Sequence, residues 1–206
     1  RADSPPMPHN GAVLTITART RIKSEAEAAD ELWHEIRNAY RTRRILTGTL
    51  DGIEQTAGGK TLATVSFRGF RIAIPIREML VLEDRMPSGR AYADYMNRLN
   101  RILGTMLGAE IDFIVKGIDS TTHSAVASRR EAMLRKRQTF YLGKDVSGNP
   151  YIYPGRLVEA RVIAVAEKVL RVEAFGIECA IFARDLSWQW VSDVRDLYSV
   201  GDRVLV

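Results

Sequence analysis

Ala57-Gly-Gly-Lys-Thr61 has the composition of a loop that wraps a phosphate. That chemistry needs a further glycine five residues before the second one, where Glu54 stands, and a helix behind it to aim amides at the anion. Leu62 to Phe67 alternate like a strand instead, so a hairpin turn is expected. His34-Glu35 opens like a zinc-protease helix, but the second histidine required one turn later is Asn38. His9, His34 and His123 fall in different expected elements and the carboxylates are scattered, so no metal, cofactor or acid–base pair is expected. Cys179, at an inward strand position, is expected to be a small core residue rather than a nucleophile. A single cysteine forms no intrachain disulfide, which fits a cytoplasmic location. These residues together suggest a binder, not an enzyme.

Charge and aromatic rings are the chemistry that remains. The net charge of +5 favours anionic partners, and it is concentrated. Between Arg129 and Pro150, Arg129, Arg130, Arg135, Lys136, Arg137 and Lys144 face only Glu131 and Asp145. Such a run is either a solvated helix face or an anion-binding segment. Hydrophobic content of 46% with 27% charged residues is that of a globular chain. No apolar run approaches the ~18 residues of a membrane span, so no membrane is expected among the partners. The Pro-rich start, Arg1 to Asn10, lacks the apolar core of a signal peptide.

The elements that must position these groups come from a repeat. Arg68 to Met79 lies over Phe175 to Leu186 without gaps, a shift of 107 residues (175 less 68). At the same shift Gly48 falls on Gly155, Leu50 on Leu157, Val65 on Val172 and Gly69 on Gly176. A period this long indicates duplicated domains. Ala63, Val65 and Phe67 alternate with polar residues, as do Phe70, Ile72, Ile74 and Ile76, with a tight turn at Gly69. The second copy places Ile177, Cys179, Ile181 and Ala183 inward. First strands are expected near Arg44–Glu54 and Leu157–Val165. Ser88 is expected to cap a helix carrying Tyr95, Leu99 and Leu103 on one face, followed by strands over 109–118 and 123–127. Gly201 to Val206 matches Gly108 to Phe113, so the second copy stops within its fourth strand, and a longer protein is expected. Ahead of both copies, Ser24 and Glu27 make a capping box for an amphipathic helix to Arg44 with Trp33 on its buried face. The chain thus divides into a flexible start plus helix (1–44), a first barrel (45–128), a basic helix or linker (129–150) and a second, truncated barrel (151–206).

Five strands with a helix between the third and fourth follow the OB plan. The runs Gly155-Arg-Leu-Val158, Val172-Glu-Ala-Phe-Gly176, Ile181-Phe-Ala-Arg-Asp-Leu186 and Ser199-Val-Gly-Asp-Arg-Val204 resemble the S-one RNA-binding repeat, the domain of bacterial ribosomal protein S-one. Ile118-Asp119 and Val126-Ala-Ser-Arg129 resemble its closing strand in the first copy. The expected fold is mainly β with helical additions: two tandem OB barrels, the second incomplete, preceded by the helix.

The resemblance implies single-stranded RNA as partner, in translation or RNA handling, bound through the outer faces of the second and third strands. There the first copy offers Arg68, Arg71 and Arg77 but no aromatic, with Arg129 and Arg130 beyond. The second offers Arg171, Phe175, Phe182 and Arg184, interleaved with Glu173 and Glu178. Phe175 and Phe182 are expected to form one stacking platform. Trp188 and Trp190 are expected to close the barrel mouth, with base stacking as the alternative. A second possibility is a protein-docking module, for the ribosome or another protein. A third, an RNA-processing enzyme, needs a catalytic domain past Val206.

Overall fold

The computed structural model describes residues 24–81 and 87–206, so the Pro-rich start lies outside the described residues. Ser24 Oγ accepts from the Glu27 amide while Glu27 Oε2 accepts from the Ser24 amide, and this reciprocal cap starts α1, Glu25–Thr42. Trp33, Ile36 and Ala39 bury the inner face of α1. β1 (Ile45–Gln55), β2 (Thr61–Phe67) and β3 (Phe70–Pro75) then form an antiparallel meander. A single helical turn, α2 (Ile76–Met79), and a longer helix, α3 (Arg90–Gly104), precede β4 (Glu110–Asp119) and β5 (Ser124–Ser128). β4 pairs with β1 and β5 lies parallel to β3, closing a barrel in the order β1-β2-β3-β5-β4. Leu50, Val65, Ile72, Ile74 and Phe113 fill it. The cap of α3 is Gly89 (φ 66°) rather than Ser88, because the chain enters the helix through a left-handed residue.

From the first barrel the chain runs through α4 (Arg129–Arg137) and a π-helical turn, Gln138–Leu142. β6 (Glu159–Ala166), β7 (Val169–Ala174), β8 (Ile177–Phe182), α5 (Ala183–Leu186) and β9 (Arg203–Leu205) follow. These strands make an open four-stranded sheet in the order β8-β7-β6-β9, so the expected second barrel is not formed among the described residues. Cys179 shows the consequence. Its counterpart Ile72 is covered where β5 lies along β3, at Ala73 opposite Val126. Among the described residues no strand flanks β8 in that way, and Cys179 is exposed, not core.

Three local devices recur in both copies. Arg68-Gly69 and Phe175-Gly176 have positive φ at both positions, as a two-residue type I′ hairpin requires. Each first strand carries a bulge, between Leu50 and Gly52 and between Val162 and Ala164. The Gly108 amide donates to the Leu50 carbonyl and the Leu50 amide to the Ala109 carbonyl, as Gly201 donates to Val162 and Val162 to Asp202. The bulges correct the first-strand alignment: Leu50 corresponds to Val162 (a shift of 112), not to Leu157. The β6–β7 hairpin is shorter by the difference, and Gly155 lies in a loop outside the sheet.

The bulge residues also diverge. Asp51 is exposed, whereas Ile163 is buried in the core of the first barrel, which ties the two modules together. Among the described residues no helix is long and apolar enough to cross a membrane.

Candidate nucleic-acid interface

The basic segment is a strut. Ser128 caps α4 by accepting from the Glu131 amide (3.0 Å) and donates to Glu78 (2.5 Å). One residue later Arg129, 1% exposed, donates to the Met79 carbonyl (2.9 Å) and to Glu178 (2.8 Å). Arg135 reaches the carbonyl of Arg43 at the end of α1, and Arg137 Nε donates to the Gly176 carbonyl (2.5 Å). Of the six basic residues, Arg130 and Lys144 are exposed. Arg129 is therefore no nucleic-acid contact; its place at the first turn of a capped helix aims it into the junction.

At the centre of that junction lie two carboxylates and two cations. Lys136 Nζ donates to Asp112 (2.5 Å) and Glu173 (2.9 Å), and Arg161 bridges the same pair at 2.5 Å to each. Thr47 adds a hydrogen bond to Asp112 (2.6 Å). Burial by itself would raise the Asp112 pKa, but the hydrogen bonds and charges of Arg161 and Lys136 overcome it and hold the carboxyl below its ordinary range. Glu173 is lowered in the same way, its burial outweighed by Arg161 and Lys136, and Arg161 is raised in return. Glu173 and Glu178, which would repel phosphate if unpaired, are neutralised, the first by Lys136 and Arg161, the second by Arg129 and Arg171.

The tip of the β7–β8 hairpin docks on this strut. A Cβ added to Gly176 (φ +95°) would stand 2.3 Å from the Met133 carbonyl. Phe175 packs on Phe140 (ring centres 4.7 Å apart), with the Lys136 ammonium 5.9 Å from its own ring centre. Phe175 is thus half-buried at the turn, and Phe182 lies at the far end of β8, roughly 20 Å away at strand spacing. The two rings do not form one platform.

The first-barrel arginines are also dispersed. Arg68 pairs with Glu35 of α1 (2.7 Å), Arg71 with Glu54, and Arg77 sits exposed on α2.

A different cluster does assemble. Phe182, half exposed at 50%, is directly opposite Val169, and the Arg184 guanidinium lies 5.4 Å from its ring centre. Past α5, Trp188 is fully exposed and Trp190 is 88% exposed, with Lys168 Nζ 5.8 Å from the Trp190 ring centre. Phe182, Arg184, Trp188, Trp190 and Lys168 line one open groove of about 770 Å³. The tryptophans do not close the barrel mouth. Ser187-Trp-Gln-Trp190 lies in a loop past α5, where no strand alternation assigns a side chain to one face. Arg171, on the same face as Phe182, pairs with Glu178.

Residues 152–206 match the family model of the S1 RNA binding domain, the S-one repeat. No curated protein matches the chain.

Proposed function

We propose that this chain, which carries an S1 RNA binding domain at residues 152–206, is a non-enzymatic, sequence-tolerant binder of single-stranded RNA. One observation carries the proposal: three aromatic rings, Phe182, Trp188 and Trp190, are held exposed beside two cations within the matching segment. Leaving a large apolar side chain in water forgoes about 1.5–3 kcal/mol of burial. Three together mark a surface that is covered by something else. Every nucleobase offers a π face, and stacking contributes about 1–3 kcal/mol per base. Lys168 and Arg184 are placed to neutralise the phosphates between stacked bases. Sequence tolerance follows, since stacking and charge read no base edges. The proposed setting is cytoplasmic, in translation or RNA handling.

Intrinsic fluorescence tests this directly. The chain has three tryptophans and Trp33 is buried, so emission changes on titration report Trp188 and Trp190. A single-stranded oligo-uridine should quench them at low salt. Absence of both quenching and a shift in the mobility of labelled RNA would reject the proposal. If a protein partner quenches instead, the groove is a docking face.

A further inference from the structure

We infer that the groove between α3 and the β6–β7 hairpin is the track for the sugar-phosphate backbone of the same RNA strand, so that its contact surface spans both modules. This rests on the RNA-binding proposal and extends it to a helix outside the segment that matches the family. Arg98 and Arg101 of α3 line one wall, Arg171 of β7 the other, over an apolar floor that includes Ala164 and Val169. The groove has a volume of about 280 Å³, and no carboxylate lines it. Arg98 and Arg101 are three residues apart and so project from one face of α3.

Their state separates them from the arginines that are engaged in ion pairs. Arg68, Arg71, Arg129, Arg161, Arg171 and Arg203 are all held by carboxylates. Arg98 and Arg101 are exposed and make no ion pair among the described residues. Two free guanidinium groups beside a shallow apolar floor suit a polyanion, not a single buried ligand.

The groove is also continuous with the aromatic cluster. Val169 lines the groove and is the direct cross-strand partner of Phe182, while Lys168, next in sequence, lines the aromatic side. A strand whose bases stack on Phe182, Trp188 and Trp190 therefore enters the arginine groove within a few ångströms. Along that path Glu178 is already neutralised by Arg129 and Arg171. The second module has only a single 3-10 turn, Val194–Asp196, at the place of α3, so the first module supplies these cations to its neighbour.

The test uses the full chain and a labelled oligo-uridine of about a dozen nucleotides, titrated over a series of potassium chloride concentrations. Arg98→Ala with Arg101→Ala should weaken binding several-fold at low salt. It should also reduce the salt slope by roughly 1.4, at roughly 0.7 per phosphate contact on single strands. Tryptophan quenching at saturation should persist. Alanine favours a helix, so melting should not change. Arg37→Ala with Arg41→Ala on α1 removes the same charge elsewhere and should leave the slope unchanged. If the α3 variant binds and quenches like the parent, with an unchanged slope, or if the α1 control loses as much, the groove is not the track and RNA binding stands without it. If the parent itself neither binds nor quenches, the RNA-binding proposal fails and this inference falls with it.

Discussion

Gly69 and Gly176 occupy the same corner of their hairpins, with φ +88° and +95°, but differ in surroundings. A Cβ at Gly69 meets nothing within 4 Å, whereas one at Gly176 strikes the Met133 carbonyl. Gly69→Ala should therefore show only the backbone penalty, about 1–2 kcal/mol. Gly176→Ala should lose clearly more, because α4 must move away from the hairpin, and paired urea denaturation curves measure the difference. The need for glycine was legible at both positions from the turn spacing; the second reason at Gly176 was not, since a neighbour distant in sequence creates it. Phe182 was legible too, its outward parity following from the alternation of β8. Trp188 and Trp190 were not, because burial in a loop depends on what covers it. Trp188→Ala with Trp190→Ala should leave the melting temperature within a degree or two while lowering RNA affinity by about 1–3 kcal/mol per stacked base.

α4 shows how composition and direction part company. The excess of basic residues between 129 and 150 is plain in the sequence, and a solvated face or a nucleic-acid patch are its two ordinary meanings. The helix has neither as its main role, because it is wedged between two β modules that present carboxylates and carbonyls to it. Arg129 and Lys136, seven residues apart, both face the junction. Arg129→Met should destabilise the fold by about 3–5 kcal/mol, as it leaves the Met79 carbonyl unsatisfied and Glu178 with Arg171 alone. Ser128→Ala, which removes the cap, should lose about 1 kcal/mol. A chemical-denaturation series on the two variants ranks them. The strands themselves were legible to within two residues wherever alternation was strong, as in Leu62 to Phe67 against the observed Thr61–Phe67. The first strand of the second module was misaligned because a five-residue change in hairpin length hid behind two chance identities.

Across the whole molecule, stability rests partly on the charge cluster of Asp112, Glu173, Lys136 and Arg161. Both carboxyls have pKa values depressed below their unfolded values of about 4. Their contribution is therefore complete above that pH and lost as acid carries the pH down through the folded values. Asp112→Asn should be strongly destabilising near neutrality, and its gap from the parent should hold down to about pH 5 and narrow as the pH falls below about 4 in urea midpoints. The consequence of Ile163 concerns inheritance. Kinship is recognisable over residues 152–206, but that stretch excised alone would expose Ile163 to water and strip Glu173 of Lys136. It should emerge largely unfolded, or aggregated, while a piece that retains the first barrel and α4 folds. A segment whose bulge residue has become part of its neighbour's interior no longer travels between proteins by itself; any recombination that moves it has to carry the neighbour along.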